Sequence, residues 1–150
     1  MTQKKIRSDG SVKAIYGYRP GAPLHRPLIG TKVPAGFPSP ASDFLEGMMD
    51  LNEHLINHPD STFFARVGGD SMQGIGIYPD DIVIVDRSME PANNKVVLAI
   101  YDGEFTIKRL HIEDGEYWLI SENEAYHAIH IRPDLDFAVW GVVTAVIRKL

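Results

Sequence analysis

A serine and a lysine in the body of the chain could together carry out nucleophilic catalysis. Ser71 follows a β-type run and two glycines, Gly68 and Gly69, which let the backbone turn tightly and let a substrate chain approach. A serine at such a turn can expose its hydroxyl, and the neighbouring backbone N–H groups can donate to an oxyanion. Taken alone, the pattern is more typical of an ordinary loop serine.

A serine nucleophile requires a base, and no histidine stands at a suggestive place in the sequence. A lysine can act as the base if burial keeps its amine uncharged, and Lys108 is the candidate. It lies in the β-type run 104–110, where alternation puts it on the same face as Thr106 and Leu110. Alternation does not tell which face is inward, and most strand lysines are exposed.

Other chemistries find little support in the residue types. The absence of cysteine excludes thiol catalysis, disulfides, Cys-ligated zinc and iron–sulfur clusters. His54 and His58 stand four apart, but no third metal ligand follows at a fitting spacing. The glycine-rich stretch 68–76 has no lysine at the position that would contact a phosphate. We therefore expect no metal and no cofactor.

The elements that must position these residues are short strands. From residue 62 onward the chain alternates between β-branched or aromatic runs and turn residues, and the pair Asp102–Gly103 predicts a two-residue hairpin. This texture predicts a mostly β, compact, mostly antiparallel domain, folded as a barrel or a curled sandwich. The predicted strands are Thr62–Val67, Ile82–Asp86, Lys95–Tyr101, Glu104–His111, Glu116–Ile120, Ala128–Ile131 and Phe137–Ile147.

A hinge and a short helical segment are expected over residues 36–61. Prolines and a glycine make residues 36–41 rich in turn signals. Asp50 and Glu53 have the spacing of a capping box that opens a short helix, which Pro59 ends. Helical spacing also extends upstream over four apolar residues, Phe44, Leu45, Met48 and Met49.

The charge is divided unevenly along the chain. Residues 1–35 contain seven Lys/Arg and one acid and carry a net charge of +6, whereas residues 36–150 carry −11. Four of the ten prolines lie in the first 35 residues, and neither helical nor strand periodicity is sustained there. We interpret residues 1–35 as an extended or flexible basic arm. It either folds against its own acidic body or docks on a nucleic acid or nucleoprotein surface.

The overall composition is that of an ordinary globular protein. The 150 residues are 44% hydrophobic and 23% charged, which suits one domain with an arm. No apolar run is long enough for a membrane span, and no signal-peptide core follows the first residues. We expect a cytoplasmic protein that does not associate with membranes.

Several motifs, in order, resemble those of the LexA/UmuD family of self-cleaving Ser–Lys peptidases. The resemblance covers roughly residues 34–150, and its strength lies in the order and spacing of the motifs together. The matching segments are Ala35–Pro40, Asp50–Asn52, Leu55–Ile56, His58–Pro59, Gly69–Met72, Asp81–Asp86, Asp102–Lys108 and Trp140–Val143.

The resemblance implies a site and an architecture. Ser71 would be the nucleophile, Lys108 the general base, and the backbone N–H groups of Asp70 and Ser71 the oxyanion donors. The self-cleavage site would be the bond between Ala35 and Gly36. The architecture would be an arm (1–35) removed by self-cleavage, the hinge (36–61), and a LexA-like curled antiparallel β domain (62–150).

The family also implies partners and a role. Residues 1–34 are too short and too rich in Pro and Gly for a helix-turn-helix, which favours the UmuD branch. Members of that branch form homodimers, cut themselves when a RecA–single-stranded DNA filament promotes it, and then act as accessory subunits of an error-prone translesion polymerase with a UmuC-like partner. No sequence-specific DNA binding is expected.

The sequence also allows three other interpretations. The first is a non-enzymatic β-fold binding adaptor that uses the arm as a docking peptide. The second is a LexA-type repressor without its DNA-binding domain. A relative of the signal peptidases would share the Ser–Lys chemistry, but the chain offers no membrane anchor.

Overall fold

One curled antiparallel sheet contains eight of the ten strands of the described chain. The computed structural model describes residues 6–18, 21, 25–29 and 45–150. Its contacts define two compact units, Met1–Tyr18 with Asp60–Leu150, and Arg19–Pro59. The strands within the described residues are β1 Val12–Gly17, β2 His25–Ile29, β3 Leu45–Asp50, β4 Thr62–Val67, β5 Ile82–Asp86, β6 Val96–Tyr101, β7 Glu104–Glu113, β8 Glu116–Ile120, β9 Ile129–His130 and β10 Phe137–Ile147.

The large sheet belongs to the first unit and has eight strands. Their order is β1-β4-β5-β10-β6-β7-β8-β9, and all neighbours are antiparallel. The long strand β10 lies in the middle and pairs with β5 on one side and with β6 on the other. The sheet curls into a half-barrel. The prediction of a mostly β, curled antiparallel domain is therefore confirmed.

Two tight hairpins set the register around β7. Asp102 and Gly103 have φ values of 50° and 78°, the left-handed conformations that a two-residue hairpin of the predicted kind requires. Asp114 and Gly115 repeat this arrangement between β7 and β8. These turns fix which residues of β7 face the inside of the sheet, because a slip of one residue would reverse every side chain.

Two hydrophobic clusters stabilise the sheet. The first brings together side chains from β1, β4, β5, β6 and β7 and from the turn that follows β4. The second is smaller and lies under β6, β7 and β8. Buried members of the first are Val12, Ala65, Val67, Met72, Ile77, Val83, Val85, Leu98 and Ile107. Those of the second are Val97, Ala99, Leu110 and Leu119.

The second unit contains a pair of strands and a short helix. β2 and β3 pair antiparallel, and α1 follows at Leu51–Leu55. The carboxylate of Asp50 accepts a hydrogen bond from the amide of Asn52, so the predicted helix start is confirmed. The helical spacing of the apolar residues over 44–49 indicated a helix, and this prediction was wrong, since Leu45–Asp50 is a strand. The pairing of β3 with β2 outweighs the helical spacing of its own residues.

The described part of the predicted arm folds against the acidic body at residues 6–18. β1 pairs with the outer edge of β4, and Lys13 Nζ lies 2.6 Å from Asp80 Oδ1. Arg7 also lies within 3.9 Å of Glu104, although both side chains are exposed. For these residues the structure favours docking on the protein's own surface.

Candidate active site

Ser71 lies in a tight turn that a buried methionine fixes. β4 ends at Val67, and the backbone then turns so that the amide of Gln73 donates to the carbonyl oxygen of Asp70 at 3.2 Å. Met72 is 2% exposed and packs into the first hydrophobic cluster. Because its neighbour is anchored in the core, Ser71 is held at one place and is only 6% exposed.

Lys108 reaches Ser71 from strand β7. Its side chain projects from β7 on the same face as Thr106 and Leu110, as alternation predicts, and this face is buried, as is Ile107 on the other face. The lysine is 3% exposed, and its Nζ lies 3.4 Å from Ser71 Oγ. The fold thus brings together two groups that are 37 residues apart in the chain.

The amine of Lys108 is surrounded by hydrogen-bond acceptors. Besides Ser71 Oγ, it lies 3.1 Å from the carbonyl oxygen of Ile107 and 3.0 Å from Oδ2 of Asp9. An ammonium group carries three protons and has no lone pair to offer. The three acceptors therefore match a protonated lysine, whereas a general base must accept the proton of the serine hydroxyl.

Asp9 is the site residue that the sequence analysis missed. Its Oδ2 also accepts a hydrogen bond from Thr106 Oγ1 at 2.7 Å, and its Oδ1 accepts from the backbone amide and the hydroxyl of Ser11. One sequence signal was available, because Asp9 is the single acid among the first 35 residues. Nothing in local periodicity connects it with Lys108, which is 99 residues away.

Asp9 is a stabilised carboxylate. Partial burial acts to raise its pKa, but the hydrogen bonds from Ser11, the charge of Lys108 and the hydrogen bond from Thr106 outweigh burial. The pKa of Asp9 consequently lies below its ordinary value. The carboxylate is therefore ionised at neutral pH, 3.0 Å from the amine of Lys108.

A loop after β8 fixes the serine turn from outside. Tyr126 Oη donates to Asp70 Oδ1 at 2.6 Å, and Asn123 Nδ2 donates to the carbonyl oxygen of Asp70 at 2.9 Å. The hydrogen bond to Asp70 is the main cause that raises the pKa of Tyr126, so the phenol remains a donor at neutral pH. Asp70 is thereby held from two directions, directly before Ser71.

Of the remaining predicted site residues, some lie within the described structure and others lie outside it. Asp70 and Ser71 lie in the fixed turn, and their role as oxyanion donors stays a prediction. Ala35 and Gly36 lie outside the described residues, and so does the first part of the predicted hinge, residues 36–44. Within the described ranges, no group of three or more His, Cys, Asp or Glu side chains could hold a metal ion.

Comparison with known proteins defines the class. Residues 27–144 match the Peptidase S24-like family, and the chain belongs to this family. No helix among the described residues is long and apolar enough to cross a membrane.

Individual relatives narrow the class further. Protein SamA of Salmonella typhimurium strain LT2 is 42% identical over 123 residues, which are 82% of this chain and 85% of SamA. Protein ImpA of Escherichia coli is 38% identical over 125 residues, 83% of this chain and 84% of ImpA. Protein MucA of Escherichia coli is 36% identical over 119 residues, 79% and 81% of the two chains. The chain is thus a UmuD-like member of the LexA/UmuD family, a serine self-cleaving peptidase in kind that belongs with the SOS mutagenesis proteins.

Proposed function

We propose that this protein cuts its own backbone once, between Ala35 and Gly36, with Ser71 as nucleophile and Lys108 as general base. The observation that carries the proposal is the 3.4 Å separation between Ser71 Oγ and the buried Nζ of Lys108. A general base must lie within hydrogen-bond reach of the proton that it accepts, and the two side chains meet this requirement away from bulk water.

The reaction proceeds in two balanced steps. Ser71 Oγ attacks the carbonyl carbon of Ala35 while its proton passes to Nζ of Lys108. Lys108 then gives this proton to the amide nitrogen of Gly36, the C–N bond breaks, and an ester joins Ala35 to Ser71. Water hydrolyses the ester with the same amine as base. Backbone N–H groups of Asp70 and Ser71 stabilise the oxyanion of each tetrahedral intermediate.

Self-cleavage would explain why a basic arm is joined to an acidic body. Because the substrate is part of the same protein, its effective concentration is high and little binding affinity is required. The cut separates a segment with a net charge of +6 from a body with −11. Such a change in the charge distribution alters which partners the protein attracts.

The biological role follows the UmuD-like branch. A RecA–single-stranded DNA filament promotes the cut in the cytoplasm after DNA damage. The processed protein, as a homodimer, is an accessory subunit of an error-prone translesion DNA polymerase whose catalytic subunit is UmuC-like. The likeness to SamA, ImpA and MucA supports this assignment.

Incubation with RecA, single-stranded DNA and a nucleotide tests the proposal. Intact mass should show a new species that begins at Gly36, formed faster than without the filament. The Ser71→Ala chain, incubated in parallel, should remain whole. A wild-type chain that stays whole with the filament and also at alkaline pH would refute the cleavage.

A further inference from the structure

The residues Arg7–Ser11, which we call the N-terminal plug, cover an otherwise free strand edge at the Ser–Lys pair. β8 pairs with β7 over Arg109–Glu113, so the first half of β7 has no strand neighbour on that side within the described chain. The plug occupies this edge. The amide of Phe105 donates to the carbonyl oxygen of Arg7 at 2.9 Å, and the amide of Asp9 donates back to Phe105 at 3.2 Å.

The plug continues along the edge until it reaches the serine turn. The amide of Ile107 donates to Ser11 Oγ at 2.9 Å, and the amide of Gly68 donates to the carbonyl oxygen of Ser11 at 2.9 Å. β1 follows immediately and pairs with β4. The plug therefore connects the strand that carries Lys108 with the turn that carries Ser71.

Contact between the plug and the turn is close. A Cβ atom on Gly68 would lie only 2.4 Å from the carbonyl oxygen of Gly10, so the glycine makes room for the plug. The cavity that remains over the Ser–Lys pair is about 100 Å³, and Asp9, Gly10 and Ser11 form part of its wall. Cavities that admit even a small organic ligand are several times larger, about 300 Å³ or more. A peptide segment cannot enter this space while the plug is in place.

Charge gives the plug a second effect. Asp9 Oδ2 lies 3.0 Å from Nζ of Lys108, and the pair is largely shielded from water on the lysine side. A carboxylate at this distance favours the ammonium form, which cannot accept the proton of Ser71. The plug thus opposes both of the requirements of the proposed reaction, access and an uncharged amine.

We propose that the N-terminal plug is a built-in inhibitor of self-cleavage. The ion pair of Asp9 with Lys108 holds the plug in the cleft, and the plug must leave before the cleavage segment can enter. This inference rests on the proposed function. Strand edges commonly accept an added extended segment, so the edge that the plug vacates is available to another stretch of backbone. Release removes the carboxylate from Lys108 in the same movement.

The first test is amide hydrogen exchange in a chain that cannot cut itself. In the Ser71→Ala background, Asp9→Asn should speed exchange at the amides of Phe105 and Ile107, which donate to the plug, while amides of β6 keep their protection. Gly68→Ala should expose the same two amides by a different route, because its Cβ collides with Gly10. The matched control is Asp114→Asn, an exposed turn acid whose left-handed φ asparagine also tolerates. Retained protection at Phe105 and Ile107 in both variants would overturn the proposal.

The second test is the rate of self-cleavage without RecA, followed by intact mass. Asp9→Asn should cleave about tenfold faster than wild type, since the plug loses a charge-assisted hydrogen bond. Asp114→Asn should match wild type. A rate for Asp9→Asn equal to or below that of wild type would overturn the proposed inhibition. If no chain ever cleaves, the proposed function fails, and the exchange measurement still decides whether Asp9 holds the plug.

Discussion

The two sides of the candidate site are held in different ways. Lys108 belongs to a strand that pairs with β6 over its first half and with β8 over its second half. Ser71 follows a strand and is anchored through Met72. The N-terminal plug is attached by a few edge hydrogen bonds, by the buried ion pair of Asp9 with Lys108 and by an exposed ion pair of Arg7 with Glu104.

This difference separates the proposed reacting groups, Ser71 and Lys108, from the plug that we propose to regulate them. The core holds the hydroxyl of Ser71 near the amine of Lys108, so the proposed reactive pair is already assembled in the folded protein. Segments with few buried contacts open at a lower free energy than core strands do. The plug can therefore respond to a partner without any change in the sheet.

Removal of either reactive group should have the largest effect. Ser71→Ala and Lys108→Ala should each reduce self-cleavage to background, measured by intact mass. Lys108→Arg is the sharper variant, because arginine can still pair with Asp9 but cannot give up its proton at workable pH. Cleavage by Lys108→Arg at a rate near that of wild type would mean that another group is the base.

Loss of the core anchor should affect stability and cleavage together. Met72→Ala should lower the free energy of unfolding by about 2–5 kcal/mol, since it leaves a cavity in the first hydrophobic cluster. Urea denaturation measures this change. Met48→Ala is the matched control, because Met48 is 63% exposed and should change stability little. An undiminished cleavage rate in Met72→Ala would contradict the view that the core fixes the serine turn.

The external support of the turn should have a moderate effect. Tyr126→Phe removes the hydrogen bond to Asp70 and should slow self-cleavage about three- to tenfold, with stability nearly unchanged. Tyr117→Phe, on a comparably exposed tyrosine, should cleave as wild type does. If the two variants behave alike, the loop after β8 has no part in positioning Ser71.

Low pH should reduce the stabilisation that the Asp9 carboxylate gives to the folded protein, and this effect should be small. Because the folded-state pKa of Asp9 lies below its ordinary value of 3.8, its stabilising contribution is complete above that value and is lost as the pH falls through the lower one. The difference in urea midpoint between wild type and Asp9→Asn should stay constant from about pH 7 to 5 and should shrink below about pH 4, as the pH falls through the lowered pKa of Asp9.

Other ionisable groups near Asp9 do not alter the sign of this prediction. Lys108, Asp70 and Tyr126 line the same cleft and are present in both chains, so the comparison isolates Asp9. A difference that grows in acid would show that the carboxylate is stabilised in its neutral form, which contradicts the described hydrogen bonds.

Sequence patterns predicted the body of the sheet well because its signals are local. Thr62–Val67 and Phe137–Ile147 are strands with the predicted bounds, and Asp102 with Gly103 forms the predicted turn. The inward face of β7 could not be predicted, because both Ile107 and Lys108 are buried and alternation carries no contrast there.

Features that depend on distant partners were missed. β1 does alternate, with Val12 and Ala14 inward and Lys13 outward, but the pattern is short and a bulge interrupts its register. β3 has apolar residues at helical spacing and is a strand because β2 pairs with it. Asp9 has no local signature, since only the curled sheet brings it to Lys108.

Self-cleavage in plain alkaline buffer, compared among four chains, separates the proposed role of Ser71 from that of Asp9. The chains are wild type, Asp9→Asn, Ser71→Ala and the Asp9→Asn/Ser71→Ala double variant, each followed by intact mass. We predict a slow cut before Gly36 in wild type, a faster one in Asp9→Asn, and none in either chain without Ser71. A cut that persists in the double variant, or a wild-type chain that never breaks, would contradict the account.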